Sequence, residues 1–331
     1  MLPSFLTAAL FAMSAVCGRR AADRFGALQA NAIRLVIAVA CLGLATWIFN
    51  ADGFAPRTTT WLVISGIIGF GLGDIALYLA LPRLGSRLTL LMNFCTAPMF
   101  AAVADFLLVG ETIRPLEALA GAVVLSGVAL ALMPEAMHRD SSGRLVNPLF
   151  TAGVIWGVLA GFGQGVGASF SRFAHGFAEH EQVRLTGMGE AFQRASGGVV
   201  IALLAWVLMR WWHRRPNRPR PAAATPTGTA TDPTGQTAPT VRPIPWRTPR
   251  RAWWWLVGAA LFGPVIGVSC FQWALHTAPS AVVLIIVATS PLLVIPLARW
   301  LEQDRPRPIA LLGSVIAVLG LAFLLSVRSA G

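Results

Sequence analysis

Ten apolar runs, each about as long as a hydrocarbon bilayer is thick, divide this chain. A lipid core roughly 30 Å across takes about 20 helical residues to cross, and a helix satisfies its own backbone N–H and C=O groups where no water can. The runs fall at 3–17, 30–50, 61–82, 88–109, 114–134, 148–171, 190–210, 252–275, 280–301 and 307–327, bounded by arginine, proline and polar turns. They predict an all-α integral membrane protein with ten transmembrane helices. Of 331 residues 56% are apolar and 12% charged, which excludes an ordinary soluble enzyme. Trp61, Trp156, Trp211, Trp212 and Trp300 fall near or within run ends, where an interfacial aromatic belt would place several of them.

All 26 basic residues are arginine, and the formal charge is +12. Most lie between the runs, where they meet water and lipid headgroups. No soluble basic domain exists to make nucleic acid a partner. The first run, Pro3 to Cys17, has no positive segment ahead of it and is followed by Gly18-Arg19-Arg20. It reads as a first transmembrane helix and not as a cleaved leader. The cysteines at 17, 41, 95 and 270 show no pairing or metal spacing. His138, His175, His180, His213 and His276 are placed in loops without a His-x-x-x-His pair, so neither a metal site nor a cofactor is expected. No Ser-Lys or Ser-His pair is visible at membrane depth, so the chain does not read as an enzyme. From Trp212 to Arg250 proline, threonine, alanine and arginine dominate, a composition that buries too little to order itself. That segment reads as a disordered linker held near anionic headgroups.

The sequence also repeats. Thr96 to Leu132 aligns without a gap on Thr289 to Leu325 at an offset of 193, with nine identities in 37 positions, among them Thr96/Thr289, Pro98/Pro291, Arg114/Arg307 and Pro115/Pro308. At an offset of 194, Gly69/Gly263, Gly73/Gly267 and Ser86/Ser280 extend the match, and at 160 Arg34 meets Arg194. The jump between offsets is the linker. Residues 1–134 therefore form one five-helix repeat and 148–330 a second, interrupted by linker 212–250. Because five is odd, the second copy enters the bilayer from the opposite face, which gives an inverted-topology repeat suited to alternating access.

An ionisable or amide group at membrane depth must face a partner or a wet cavity. Asp74, one position after the Gly69-x-x-x-Gly73 pair, is a cation or proton site or else an ion pair with Arg34. Asn93, Gln164 among the glycines of the sixth run, Gln272, Trp273 and the lone tyrosine Tyr78 are further candidates for a substrate or proton pathway. Arg34 and Arg194 hold equivalent places and suit a shared structural duty, such as snorkelling or capping. Glu111 and Glu302 fall at the mouths of following helices, where a carboxylate stabilises the N-terminus. Pro98 and Pro291 interrupt matching runs and would let them bend.

The stretch Gly73-Asp74-Ile75-Ala76-Leu77-Tyr78-Leu79-Ala80-Leu81, then Leu84-Gly85-Ser86-Arg87, Pro98, Gly110-Glu111, Gly121 and Gly127, resembles the third-to-fifth-helix signature of the drug/metabolite transporter superfamily, in its ten-helix EamA-like branch. Ala274-Leu275, Pro291, Glu302, Gly313 and Gly320 form a degraded second copy, and Arg34 stands where that family usually carries an arginine. The resemblance covers nearly everything but the linker. It implies a secondary transporter, an exporter of a small metabolite or drug-like molecule in a bacterial inner membrane, with protons as a possible coupling ion. Its cavity would lie among helices one, three, four, six, eight and nine. A membrane scaffold or sensor acting through the basic linker is the alternative. Orientation divides the arguments: the resemblance puts both termini in the cytoplasm, whereas nineteen loop arginines on the linker's side against five on the termini's side put the termini outside. The charges predict that both termini lie outside.

Overall fold

The runs become helices in the computed structural model, which describes residues 2–49, 53–110, 114–132, 148–214, 250–290, 292–293 and 308–329. In chain order these are α1 (Leu2–Phe25), α2 (Ala27–Ile48), α3 (Pro56–Gly66), a π-helical segment π1 (Ile67–Gly73), α4 (Asp74–Val109), α5 (Pro115–Leu132), α6 (Pro148–His180), α7 (Gly187–Arg214) and α8 (Arg250–Ala260). A second π segment, π2 (Leu261–Val265), then leads into α9 (Ile266–Leu275), α10 (Ser280–Val287) and α11 (Pro308–Ser329). Among the described residues there is no strand. Seven stretches are long and apolar enough to cross a bilayer: Leu2–Phe25, Ala27–Ile48, Pro56–Ser86, Leu88–Val109, Phe150–His180, Gly187–Trp212 and Ala252–Leu275. Shorter apolar helices run over Pro115–Leu130 and Val315–Leu324. The protein is an all-α, multi-pass membrane protein. Glu111, Pro291, Glu302 and most of the linker lie outside the described residues.

Helix ends are set by carboxylates and glycine. Pro56 starts α3, and the Glu181 carboxylate accepts the Arg57 and Thr58 amides, each at 3.1 Å, and the Thr58 hydroxyl at 2.7 Å. These bonds, led by that of the Thr58 hydroxyl, hold the Glu181 carboxyl below its usual range. Glu117 accepts the Arg114 amide at 3.3 Å ahead of α5, and Asp105 accepts the Ser280 amide at 3.0 Å at the start of α10. Gly110, at φ +72°, ends α4.

Three boundaries differ from the sequence reading. The first helix runs on to Phe25, beyond the expected Cys17. The sixth runs to His180, because Phe173 and Phe177 continue its apolar face and pack on Trp61 at ring separations of 5.0 and 6.3 Å. His175 and His180 thus sit on a helix and not in a loop, as does His213 on α7. No loop separates the third and fourth crossings. The chain stays helical through Pro82 and breaks at Gly85 alone, at φ 76° and ψ 169°.

Glycines let the helices meet closely. A Cβ on Gly73 would stand 3.1 Å from the Gly163 Cα, and one on Gly167 would stand 3.2 Å from the Gly69 Cα, so π1 and α6 cross backbone to backbone. On the other flank, α5 and α11 meet where a Cβ on Gly127 would fall 2.4 Å from the Ala317 N and one on Gly320 would fall 2.9 Å from the Val124 N. Between these flanks Phe11 of α1 stacks on Phe94 of α4 at 5.9 Å and leans on Phe271 of α9 at 6.2 Å. The apolar side chains that remain exposed, such as Trp47, Leu107 and Leu319, form the outer, lipid-facing surface.

Candidate functional site

Above that aromatic layer a cavity opens, with walls from α1, α2, π1, α4, α6, π2 and α9. The sequence-identified Asp74, Tyr78, Asn93 and Gln164 all line it, and so does Arg34. About 50 Å³ is open to the centres of water molecules, room for a few waters. Arg34 does not snorkel to a headgroup. It is buried, and its Nη2 donates to Asn31 Oδ1 at 3.1 Å and to the Asp74 carboxylate in an ion pair. The guanidinium also lies over the Tyr78 ring, 5.0 Å from its centroid. A charge at membrane depth persists when paired in this way, and of the two readings of Asp74 the ion pair is the arrangement present. Two buried polar atoms of the cavity wall, Arg34 Nε and Asn93 Oδ1, have no hydrogen-bond partner among the described residues. The same wall also carries Ser14, Asp74, Tyr78 and Gln164.

Gln272 and Arg194 belong to a second buried cluster. Arg194 Nη1 donates to Gln272 Oε1 at 2.6 Å, and Gln272 Nε2 donates to Glu190 Oε2 at 2.8 Å. Glu190, in the first turn of α7, is fully buried, and each of its oxygens also meets a histidine: His175 Nε2 lies 2.9 Å from Oε2 and His276 Nε2 lies 2.5 Å from Oε1. The two imidazoles stack with centroids 4.1 Å apart and planes 5° from parallel. The hydrogen bond to Glu190, against the opposing pull of burial, holds the His276 imidazole above its usual pKa.

Two of the histidines read as separate loop residues thus meet in space. Three potential ligand atoms, from His175, Glu190 and His276, lie within 4.8 Å of one another. Sequence spacing could not reveal this, since the three residues come from three helix ends separated by 15 and 86 positions. Trp273 stands away from both sites, 55% exposed on the outer surface. Pro98 lies inside α4. Asp105, which the sequence reading passed over, is buried as the cap of α10.

The two sites contact the π segments in a matching way. Each half carries a π segment, and Leu261, where the second begins, is 194 positions after Ile67, where the first begins. Arg34 Nη1 would be 3.2 Å from a Cβ on Gly263, and Arg194 Nη2 would be 3.0 Å from one on Gly69. Each arginine thus reaches the π segment that follows the other along the chain.

No curated protein matches the chain. Among solved structures, one described only as "Crystal structure of protein" superposes with a TM-score of 0.64 over 100% of this chain and 98% of its own, at 18% identity, a likeness of fold. The family model of the EamA-like transporters matches residues 1–133 and 238–326, the two segments that carry most of the cavity wall. The chain belongs to the EamA-like transporter family, whose members are membrane transporters of small molecules.

Proposed function

We propose that the chain exports a small metabolite or drug-like molecule by alternating access across a bacterial inner membrane, with the Arg34–Asp74 cavity as its binding site. In this reading residues 1–134 and 148–330 are inverted five-helix repeats, and the linker, 212–250, only joins parts of the second. The observation that carries the reading is the reciprocal reach of Arg34 to Gly263 and of Arg194 to Gly69. If residue i meets j′ and i′ meets j, the contact has the form of a twofold axis, as at an isologous interface. Gly127 against Ala317 and Gly320 against Val124 repeat the pattern, since Val124 and Ala317 are equivalent at the offset of 193. Two like halves around such an axis have two arrangements of similar energy, opening to opposite faces.

At the cavity, a substrate with a polar group would engage Arg34 Nε and Asn93 Oδ1, while Phe11, Phe94 and Tyr78 would hold its apolar part. Competition of the substrate for Arg34 would loosen the bond to Asp74, tying occupancy to the contact between α2 and α4. The test is counterflow: proteoliposomes of the full chain, loaded with a bacterial metabolite extract, should show saturable exchange of at least one compound by mass spectrometry. Asp74→Asn should abolish that exchange while the protein still inserts and purifies as one species. The absence of exchange for the unaltered protein, or full exchange by the variant, overturns the reading.

A further inference from the structure

Glu190 is a fully buried carboxylate held by two histidines from different helices, and the cavity described above has no use for it. Three classes of occupant fit a His–Glu–His set: a metal ion, a proton, or nothing beyond a fixed hydrogen-bonded pair. Geometry decides against the metal. An imidazole ligates along a lone pair in its own ring plane, and two rings 5° from parallel and stacked at 4.1 Å have planes that do not meet near their nitrogens. One ion cannot lie in both. The same stacking suits a proton. Two imidazolium ions face to face would repel strongly, so one added proton suits the pair better than two, and the Glu190 carboxylate between the two Nε2 atoms accepts a hydrogen bond from either ring.

We propose that His175, Glu190 and His276 form the site at which this carrier binds and releases a coupling proton. The proposal rests on the transport reading above and supplies its coupling ion and the residues that hold it.

The surroundings fit the role. Glu190 faces His175 from α6, His276 and Gln272 from the end of α9, and Arg194 one turn along α7. Arg194 interacts electrostatically with both Glu190 and Asp74, and Asp74 is held by Arg34. Charges of alternating sign therefore run from the histidine pair to the cavity, and a change at one end is felt at the other. The His276 side chain is 32% exposed against 0% for Glu190, so His276 is the group that meets water. The cluster also joins three helix ends. Close to it the start of α7 lies against α9, where a Cβ on Gly187 would stand 2.3 Å from the Ser269 carbonyl oxygen. With the proton bound, an imidazolium–carboxylate pair ties α6 and α9 to α7. With it gone, the buried carboxylate keeps two neutral histidine donors and the Gln272 amide, and the tie to α6 and α9 weakens. Because the bond to Glu190 raises the pKa of His276, the tie is complete at low pH and is lost as pH rises through that raised value. Protonation thus favours closure of this end of the bundle.

Two measurements on the full chain test this. Histidine ¹⁵N spectra, recorded in detergent from about pH 5 to 9, should show one imidazole titrating above the ordinary value of about 6.5, and Glu190→Gln should return it to that value. In liposomes, with the four native cysteines replaced by alanine, Ser269→Cys should react several-fold faster with a thiol reagent at high pH than at low pH, beyond the rise shown by a free small-molecule thiol in the same buffers. Adding His276→Gln should flatten that dependence, which keeps the test open if Glu190→Gln fails to fold. Titration at the ordinary value unmoved by Glu190→Gln, labelling independent of pH, or stoichiometric zinc binding abolished by Glu190→Gln would each overturn the proton site. Failure of the counterflow assay with both pH responses intact would overturn the transport reading and leave the proton site standing.

Discussion

Removing the carboxylate of Asp74 leaves the Arg34 guanidinium 4% exposed in a cavity wall with Asn31 as its remaining side-chain hydrogen-bond acceptor. Breaking a buried pair from one side costs about 3–5 kcal/mol, whereas replacing both members with apolar groups of similar size is often neutral. Asp74→Leu should therefore lower the thermal midpoint more than the double variant Arg34→Met/Asp74→Leu does, a non-additivity that a thermal-shift series reads directly. On the proposed reading both should lose flux, since neither keeps the Arg34–Asp74 pair. A midpoint for the double variant below that of Asp74→Leu would mean that the pair is a net stabiliser. At this scale the sequence was readable where one rule sufficed. A carboxylate, amide or phenol inside an apolar run needs a partner or a cavity, and Asp74, Tyr78, Asn93 and Gln164 converge on one. Gln272 obeyed the same rule at the other cluster, bridging Arg194 and Glu190. Trp273 did not, because an indole is at ease on the outer surface near an interface. Glu190 and its histidines escaped notice because their meeting is purely tertiary.

Helix crossings follow the thickness of the bilayer, which is why apolar length located them, yet apolar length is blind to what continues a helix beyond the lipid. Phe173 and Phe177 extend α6 by packing on Trp61, and Arg20 over the Trp255 ring at 4.3 Å helps hold the last turns of α1 against α8. The turn expected after the third crossing shrinks to one residue. Gly85 supplies it with φ 76°, a value that favours glycine, and Gly85→Ala should lower stability by about 1 kcal/mol or more. The π segments were also illegible, since nothing in Ile67–Gly73 or Leu261–Val265 signals one extra residue per turn, although Pro264, lacking an amide donor, suits the second. Between α5 and α11 the glycine contacts make a graded prediction. A side chain at Gly127 meets backbone at 2.4 Å, and one at Gly320 meets backbone at 2.9 Å. Gly127→Val should thus depress the yield of folded protein more than Gly320→Val, with both below the unaltered chain, as fluorescence size-exclusion profiles would show. Equal yields for all three would mean that the two helices part readily at this contact.

For the molecule as a whole, the linker and the orientation are one question. A segment with so many prolines and so few apolar residues contributes little burial, so deleting residues 219 to 245 should leave insertion and flux near those of the full chain, and loss of flux with intact insertion would favour a signalling role for it. The face on which it lies follows from charge. Between the ten expected crossings, nineteen arginines fall on the linker's side, nine of them from Arg210 to Arg251 and several on helix ends such as Arg19 and Arg83, against five on the side of the termini, and ten against five remains lopsided without those nine. Arginine-rich short loops are retained in the cytoplasm, which predicts the linker inside and the termini outside. His276 lies one crossing away from the linker, beyond Ala252–Leu275, and is therefore on the opposite face. In this orientation the His175–Glu190–His276 cluster faces outward. Parity gives the prediction two linked readouts. In intact cells, with the native cysteines replaced, a cysteine at Thr277 should react rapidly with a membrane-impermeant thiol reagent, and one at Thr231 should react only after the cells are opened. Rapid labelling at Thr231 with protection at Thr277 would reverse the orientation and show that the positive-inside rule fails for this chain. Labelling at both in intact cells would contradict the crossing between them, and with it the helix count on which the inverted repeat depends.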